Sequence, residues 1–369
     1  MKILITGAHF TPAVAVIEQL KKTSSAQIIY VGREKSQEGD STPSVESQEI
    51  PKLGVKFISI ITGRLQRAFT IYTIPSLLKI PIGFIQAFFI ILTEKPDVIL
   101  SFGGYVAVPI VIVGWFLSIP IIIHEQTLVS GLANTISSWF ADKIAISFET
   151  RLKSEKTILT GNPLRKEVLT PVKKLPAEFT KIFKYAKNNK LAVILIMGGN
   201  QGSHIINKII EESLEKLCKI TCVIHVSGDN KYHDFERLRG LIGEKYLVKR
   251  WIGEEIGGVY SNIDLVISRA GINTLTELAY LGKPVLAIPI PYLYHDEQNK
   301  NAKFFEKLGL VKILPQSNLS TQSLVTNIAF MLKNIEPLKV EASRAKKIVF
   351  NIDSAQRLAL ETLLLAGKD

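Results

Sequence analysis

The chain has 369 residues, a hydrophobic content of 47% and a formal net charge of +12. Its length exceeds the size at which a single core stops growing, so we expect two domains, and its hydrophobic content excludes a disordered protein. The charge fits nucleic acid, an anionic membrane or phosphorylated ligands. Nucleic acid is not expected, because the sequence has no zinc finger, aromatic RNA-binding signature or basic helix with heptads.

The N-terminal half alternates strand and helix patterns. KILITG from Lys2 predicts a strand, AVAVIEQLKK a helix and QIIYVG a second strand, and further pairs extend to KTILTG at residues 156–161. The opening MKILITGAHFTP is not expected to be a signal peptide, because its apolar run is short and no small-residue cleavage site follows.

Two apolar stretches of this half are long enough to be considered as membrane segments. Residues 102–123 are uncharged, but glycines and prolines divide them into a strand end, a short helix and a second strand, which favours a buried α/β core. Residues 74–92, IPSLLKIPIGFIQAFFIIL, leave two alternatives open. They form either a core helix or a helix in the membrane interface, with Arg64, Arg67 and Lys79 near lipid phosphates.

The alternating pattern restarts after a basic stretch at residues 165–190. LAVILIMGGNQG predicts a strand and a glycine turn, IINKIIEESLEKL a helix and TCVIHVSG a strand, while residues 319–365 look helical. Two rounds of this pattern predict two doubly wound α/β domains with a cleft between them. We expect an N-terminal domain at 1–163, a linker at 164–190, a C-terminal domain at 191–350, and a helix at 351–369 that packs back toward the N-terminal domain.

Glycine turns follow predicted strands in both halves. They lie at Gly7, Gly103, Gly104, Gly161, Gly198, Gly199, Gly202 and Gly271. Glycine lets the backbone approach a phosphate and present its N–H groups, so these turns predict a nucleotide-type ligand. GGNQGS matches neither G-x-G-x-x-G nor G-x-x-x-x-G-K-[ST], which disfavours a dehydrogenase or an ATPase.

Residues 268–291, SRAGINTLTELAYLGKPVLAIPIP, predict a strand, a turn, a helix and a second strand. Ligands of parallel sheets bind at the carboxyl ends of the strands, where helix N-termini favour anions. By itself this pattern also fits a structural βαβ unit without a ligand.

Five blocks resemble the MurG family of bacterial glycosyltransferases in order and spacing. They are SFGGYVAVPIVIVGWFLSIPIIIHEQTLVSGLANTISSWFADKIAISF, GNPLR, MGGNQGS, SRAGINTLTELAYLGKPVLAIPIP and DEQNKNA. The family adds N-acetylglucosamine from UDP-GlcNAc to the undecaprenyl-pyrophosphoryl muramoyl-pentapeptide, lipid I, to give lipid II. The resemblance covers nearly the whole chain. It implies a GT-B fold, with the acceptor on the N-terminal domain and the nucleotide sugar mainly on the C-terminal domain.

The resemblance also implies the setting of the reaction. It implies no cofactor, a polyprenyl-pyrophosphate-linked acceptor and an anionic membrane surface as a partner. The expected location is peripheral, on the cytoplasmic face of the bacterial plasma membrane, with other cell-wall synthesis proteins as candidate partners.

By the same resemblance, the donor site includes a turn and helix start with further contacts. Its residues are Thr127, Arg165, Asn200, Ile252, Ile272, Asn273, Thr274, Leu275, Thr276, Glu277 and Gln298. The helix N–H groups meet the diphosphate, and Glu277 accepts hydrogen bonds from the ribose hydroxyls, which suits a group with two acceptor oxygens. Arg165 offsets phosphate charge, Ile252 lies beside uracil and Gln298 contacts the sugar hydroxyls.

His9 is the candidate general base, since imidazole can take a proton near neutral pH. Glu125 is the rival base. The expected reaction inverts the anomeric carbon: the muramoyl 4-hydroxyl attacks, UDP leaves and a β-1,4 bond forms. The sequence contains no Asp-x-Asp pair, so no metal is expected, and helix N-termini with Arg165 would meet the leaving charge.

The first glycine loop departs from the family pattern GGTGGH. The chain has Leu4 and Ile5 there, then Thr6, Gly7 and Ala8, which are expected to contact the acceptor. Ala8 adds a methyl group where a backbone approaches a pyrophosphate. This keeps open another lipid acceptor such as diacylglycerol. A degenerate UDP-binding scaffold is a separate alternative. A UDP-sugar 2-epimerase shares the fold but lacks the HEQ to GLAN block.

Overall fold

The computed structural model describes residues 1–35, 43–63, 73–149, 154–199, 202–349 and 353–367. The chain divides into two compact units, one formed by Met1–Arg165 with Asn351–Asp369 and the other by Lys166–Phe350. Each unit is built on a parallel sheet with helices along the chain between the strands. This confirms the prediction of two doubly wound α/β domains.

The strands are β1 (Lys2–Thr6), β2 (Gln27–Gly32), β3 (Lys56–Ser59), β4 (Val98–Ser101), β5 (Ile121–Glu125), β6 (Lys143–Ile146), β7 (Thr157–Leu159), β8 (Ala192–Met197), β9 (Thr221–Val226), β10 (Tyr246–Lys249), β11 (Leu265–Ser268), β12 (Val285–Ala287) and β13 (Val311–Ile313). The helices are α1 (Phe10–Thr23), α2 (Val45–Glu49), α3 (Thr73–Glu94), α4 (Ala107–Phe116), α5 (Leu132–Phe140), α6 (Lys166–Leu169), α7 (Ala177–Asn188), α8 (His204–Ile220), α9 (Asp234–Arg239), α10 (Ile256–Asn262), α11 (Ile272–Leu281), α12 (Glu297–Lys307), α13 (Thr321–Lys333), α14 (Ile335–Val349) and α15 (Ser354–Ala366). Short 3₁₀ turns lie at Pro51–Leu53, Tyr294–Asp296 and Gln316–Asn318.

The sheet of the first unit has the order β3-β2-β1-β4-β5-β6-β7. Alternate side chains of β1 enter two cores: Ile3 and Ile5 pack with α1 and α15, whereas Leu4 packs with α3 and α4. The strand order reverses at β1, where Thr6 lies opposite Ser101 of β4. In sheets of this kind, ligands bind at the carboxyl ends of the strands beside such a reversal.

The two apolar stretches of this unit have different structures. Residues 102–123 run from the end of β4 through α4, which is buried except at its C-terminal end, into β5, as the favoured interpretation predicts. Among the described residues, only Ser76–Glu94 within α3 has the length and composition of a membrane-crossing helix, and 22% of its apolar window is buried. Most of its large apolar side chains are exposed, so α3 is not a plain core helix.

The sheet of the second unit has the order β10-β9-β8-β11-β12-β13, and its strand order reverses at β8. Met197 at the end of β8 pairs with both Val226 of β9 and Ser268 of β11. The loops that follow these three strands therefore emerge side by side at one edge of the sheet.

The segment predicted as a linker is part of the second unit. Residues 164–190 contain α6 and α7, and the boundary between the units falls after Arg165. Phe179, Ile182 and Ala186 recur at helical spacing on α7 and are buried against β8, β9 and β10. The helix α15 belongs to the first unit, because Leu358 and Leu365 are buried in the core beside α1.

Candidate functional site

In the first unit, the loops after β1 and β4 are joined by backbone contacts. The N–H of Phe102 donates to the carbonyl of Thr6 over 2.7 Å, and the N–H of Ala8 donates to the carbonyl of Gly103 over 3.0 Å. Gly7 has φ +142°, and a Cβ at this position would lie 2.8 Å from the Phe102 carbonyl carbon. A side chain at position 7 would therefore separate the two loops.

Ala8, the departure from the family pattern, is accommodated by the neighbouring loop. It keeps a negative φ, so its methyl group introduces no left-handed backbone strain. A Cβ on Gly104 would lie 2.7 Å from the Ala8 Cβ, so the absence of a side chain at 104 leaves room for the methyl group.

His9 lies directly before α1, as its N-cap residue, and makes no side-chain capping hydrogen bond. Its side chain is half-buried. Burial lowers the pKa of His9 to about 4, and the charge of Arg33 acts in the same direction. The imidazole is therefore neutral near pH 7, the form that can accept a proton, but the lowered pKa also makes it a weaker base than a free imidazole.

Glu125 is buried at the end of β5, and its carboxylate is occupied by hydrogen bonds. Its Oε1 accepts the backbone N–H of Thr127 over 3.0 Å and the Thr127 hydroxyl over 2.7 Å. Its Oε2 accepts the amide of Asn134 over 2.9 Å. Burial raises the pKa of the Glu125 carboxyl, and the hydrogen bonds from Asn134 and Thr127 offset only part of that effect.

Asn134 is a residue of this cluster to which sequence reasoning assigned no role. It lies on α5 in the GLAN block, buried against Gly103, where a Cβ would approach its Oδ1 to 2.3 Å. Its amide thus links the end of β5 to the glycine turn after β4. The GLAN motif marked the segment, but nothing in its spacing identified the partner.

His124 precedes Glu125 on β5, and its side chain points to the opposite face of the sheet, toward Phe102. Its Nε2 lies 3.3 Å from the Gly161 carbonyl oxygen and 3.2 Å from Ser147 Oγ, and its ring meets Phe102 edge-on at 5.5 Å. Burial lowers the pKa of His124 to about 4. These contacts make His124 a neutral core residue that connects β5, β6 and the turn after β7.

In the second unit, Arg269 connects three loops at the carboxyl edge of the sheet. It follows β11 and is only 5% exposed. Its Nη1 donates to the carbonyl of Ile288 after β12, and its Nη2 donates to Ser203 Oγ before α8, both over 2.9 Å. Asn301 of α12 donates to the Ala270 carbonyl over 3.2 Å, so the turn before α11 is held from both sides.

The helix α11 begins at this turn. Gly271 is its N-cap and carries no side chain, so the backbone N–H groups of the first turn have no side-chain cap there. The side chains of Asn273 and Thr274 are half-exposed, whereas Ile272, Leu275 and Thr276 are buried. The exposed part of this helix start is therefore its backbone with two small polar side chains, a surface that suits an anion.

Glu277 lies one turn further along α11 and is 2% exposed. The Tyr260 hydroxyl lies 3.4 Å from its Oε2 and can donate to it. A buried carboxylate needs hydrogen-bond donors, and its two oxygens can accept more than one of them.

The other predicted donor residues differ in position. Ile252 is buried just after β10, and the Oε1 of Gln298 accepts the Ile290 N–H over 3.0 Å. Arg165 is half-buried at the end of the first unit. The Thr127 hydroxyl lies 2.7 Å from both Glu125 Oε1 and the Val129 carbonyl oxygen, so its hydrogen-bond partners are in and beside its own loop. Asn200 lies outside the described residues.

A second polar cluster was not predicted. The carboxylate of Asp234, at the start of α9, lies 2.9 Å from His204 Nδ1 at the start of α8. It also accepts Asn207, Asn230 and Arg237 over 2.8, 3.1 and 2.8 Å. Burial raises the pKa of Asp234, but the hydrogen bonds from these neighbours outweigh it and hold the pKa below its ordinary value. The cluster ties the loops after β8 and β9 together.

These sheets and sites are those of a nucleotide-sugar glycosyltransferase. Residues 6–146 match the N-terminal domain of glycosyltransferase family 28, and residues 193–358 match its C-terminal domain. The chain belongs to the MurG family within this class. It is 34% identical, over 90% of its length and 91% of the relative, to the "UDP-N-acetylglucosamine--N-acetylmuramyl-(pentapeptide) pyrophosphoryl-undecaprenol N-acetylglucosamine transferase" of Clostridium botulinum (strain Langeland / NCTC 10281 / Type F).

A further relative agrees with this assignment, and two solved structures share the fold. A Bacillus anthracis protein with the same name, numbered 2, is 34% identical over 92% of this chain and 93% of its own. The crystal structure of Acinetobacter baumannii MurG superimposes with a TM-score of 0.69 at 23% identity, covering 98% and 99% of the two chains. An S. aureus MnaA-UDP structure superimposes with a TM-score of 0.68 at 13% identity, covering 100% and 98%. These structures show the fold, and the expected GT-B fold is confirmed.

Proposed function

We propose that the protein transfers N-acetylglucosamine from UDP-GlcNAc to the 4-hydroxyl of the muramoyl sugar of undecaprenyl-pyrophosphoryl-MurNAc-pentapeptide, converting lipid I to lipid II. The observation that carries this proposal is the 34% identity to the C. botulinum transferase, which extends over nearly the full length of both chains. The name of that relative specifies both the sugar donor and the lipid-linked acceptor.

For the donor, the second unit supplies the start of α11. The UDP diphosphate would lie against the N–H groups after Gly271, where the helix dipole favours negative charge, and Ile252 would contact uracil. Glu277 would accept the ribose hydroxyls, and Gln298 would contact the sugar. The same helix start stabilises UDP as it leaves, with Arg165 as a second source of positive charge.

For the acceptor, the first unit supplies the turn of Thr6, Gly7 and Ala8 and the base His9. The neutral imidazole takes the proton of the muramoyl 4-hydroxyl while the hydroxyl oxygen attacks C1 of N-acetylglucosamine. The bond from C1 to the UDP oxygen breaks, and the configuration at C1 inverts. Glu125 is the weaker candidate for the base, because Thr127 and Asn134 already donate to both of its oxygens.

We also propose that the first unit docks on the cytoplasmic face of an anionic membrane. Three neighbouring helices, α3, α4 and α5, expose large apolar side chains. They include Leu78, Ile85, Phe89, Trp115, Phe116 and Trp139. We call these six residues the apolar face. Exposed apolar area of this kind marks an interaction surface, and tryptophan favours the lipid headgroup region. Lys79 adds a positive charge, whereas Arg64 and Arg67 lie outside the described residues.

The test is transfer of labelled sugar from UDP-GlcNAc to purified lipid I in detergent, with diacylglycerol as a parallel acceptor. Lipid II formation is the expected result. Transfer to diacylglycerol alone would replace the acceptor, and UDP binding without any transfer would indicate a scaffold. Release of a changed free sugar would indicate an epimerase, the activity named for solved structures with a similar fold such as that from Neisseria meningitidis (17% identity, TM-score 0.62).

A further inference from the structure

Ser203 occupies an unusual position at the start of α8. It is the N-cap of this 17-residue helix, yet its side chain makes no capping hydrogen bond. The N-cap Ser320 of α13 provides the contrast, because its hydroxyl accepts the N–H of Ser323 in a capping box. The Ser203 side chain is therefore held in place by something other than its own helix.

The group that holds Ser203 is the buried guanidinium of Arg269. The Nη2 of Arg269 donates to Ser203 Oγ over 2.9 Å, so the serine oxygen acts as an acceptor in this contact. A hydroxyl also carries one O–H donor, which must point away from the arginine. Among the described residues, the Ser203 O–H has no acceptor, and the buried Nε of Arg269 has no hydrogen-bond partner either.

The first residue of α8, His204, is also held by neighbouring side chains. Its Nδ1 lies 2.9 Å from Asp234, and its ring stacks on Tyr232 with centroids 3.9 Å apart and planes 17° apart. Arg269 and Asp234 thus hold two consecutive residues, Ser203 and His204. Arg269 follows β11 and Asp234 follows β9, the strands on either side of β8. Ser203 lies between these supports and is fixed before any ligand arrives, which reduces the entropy lost on binding.

The strand order places Ser203 on the path of a bound nucleotide. Ile252, the proposed uracil contact, follows β10, and the proposed diphosphate contact at α11 follows β11. The strands β9 and β8 lie between them in the sheet. At a spacing of about 4.8 Å per strand, the two contacts are roughly 14 Å apart, so a nucleoside diphosphate that spans them crosses the ends of β9 and β8.

We propose that Ser203 binds the diphosphate of the sugar nucleotide, donating its O–H to a phosphate oxygen, and that Arg269 is its positioning residue. This inference rests on the proposed function, because it takes UDP-GlcNAc as the ligand. It adds a contact from α8 to those from α11, so that two helix N-termini meet one diphosphate.

The experiment compares UDP and uridine binding to the full-length protein, by titration calorimetry and by competition. Ser203→Ala is expected to raise the Kd for UDP about ten- to hundredfold, the effect of losing one hydrogen bond to a charged group, without changing the Kd for uridine. Ser203→Thr keeps the hydroxyl and is expected to restore most of the affinity. Ser320→Ala removes a true helix cap of the same unit and is expected to lower stability while leaving the Kd for UDP unchanged.

Three outcomes would overturn the inference. Unchanged UDP affinity in Ser203→Ala would exclude the contact. Equal losses for UDP and uridine would show that the loop has moved, a structural effect of leaving Arg269 without its acceptor. Failure of the unaltered protein to bind UDP would reject the proposed function itself, and so distinguishes that failure from the failure of this contact.

Discussion

Thr127 donates both its backbone N–H and its hydroxyl to the same carboxylate oxygen of Glu125. The second oxygen accepts Asn134, so one buried carboxylate connects the end of β5, the loop after it and the helix α5. A carboxylate in this position organises a loop. A general base needs a lone pair directed at the substrate proton, and three of the acceptor sites of the Glu125 carboxylate are already used in this network.

Glu125→Gln is expected to destabilise the protein. An amide offers a single oxygen, so one charge-assisted hydrogen bond is lost and the free energy of unfolding falls by about 1–3 kcal/mol. The kcat of the folded protein should fall no more than about tenfold, far less than for loss of a general base. Urea denaturation and transfer assays measure the two effects, and the exposed Glu149→Gln is the control. A thousandfold lower kcat at unchanged stability would instead make Glu125 the base.

His9→Ala is expected to lower kcat by about 10²–10⁴, the usual contribution of a general base, with little change in stability. Its Kd for UDP should stay unchanged, because the proposed donor contacts of α11 belong to the other unit. Since the pKa of His9 is lowered to about 4, the kcat of the unaltered enzyme should not fall as the pH drops from 8 to 6. Full turnover of His9→Ala with saturating acceptor would reject the assignment.

Glu277→Gln is expected to remove discrimination between UDP and 2′-deoxy-UDP. If Glu277 accepts the ribose hydroxyls, the unaltered protein prefers UDP by about tenfold or more, which is the value of a hydrogen bond to a charged group. The variant should bind both ligands with similar, weaker affinity. Glu254→Gln, an exposed change in the same unit, should keep the preference. A preserved preference in Glu277→Gln would show that another group contacts the ribose.

Much of this site follows from local sequence signals. A strand followed by glycine can be recognised in both halves of the sequence, and parallel pairing then places Thr6 beside Ser101 and Met197 beside Ser268. The contacts that support these loops cannot be predicted from local sequence patterns. Ser203 and Arg269 are 66 residues apart, and no spacing motif relates them. Only the order of β8 and β11 in the sheet brings them together.

The amphipathic character of α3 was also undecided from sequence, because apolar residues surround the helix. Burial depends on which neighbours pack against it. Phe84 is partly buried against the core, whereas Phe89 is 62% exposed, although the two lie only five residues apart. Their environments differ because α4 covers one side of α3.

Phe89→Asp and Leu78→Asp are expected to weaken binding to anionic vesicles. These side chains are 62% and 68% exposed on the apolar face, so the change removes membrane-buried area and adds negative charge without cost to the core. Co-sedimentation with vesicles measures binding. Phe330→Asp is the matched control, because Phe330 is 53% exposed in the second unit. Equal binding of all three variants and the unaltered protein would exclude docking through this face.

Stability is expected to fall as the pH drops below about 6.5. His124 and His225 are fully buried, and burial lowers the pKa of His124 to about 4 and that of His225 to about 3. In the unfolded chain, histidine binds its proton near pH 6.5, so acidification favours unfolding between that value and the folded pKa. At pH 5 each of these two histidines lowers the free energy of unfolding by about 2 kcal/mol relative to neutral pH.

Urea denaturation at pH 7.5 and pH 5 measures this loss. The ring of His225 lies between Tyr246 and Asn207, so His225→Asn should be less stable at both pH values. Because the variant has lost one titrating group, its stability should also depend less steeply on pH. The same pH dependence in His225→Asn and the unaltered protein would show that His225 does not contribute.

The helix α15 follows the whole second unit in the chain, yet Leu358 and Leu365 complete the core of the first. During synthesis, the strands of the first unit therefore leave the ribosome well before the helix that covers one face of their sheet. The second unit, continuous in the chain, can fold while the first still exposes that apolar face to chaperones or to aggregation. The order of completion is thus the reverse of the order of synthesis, and a nascent chain is most vulnerable in the half that is made first.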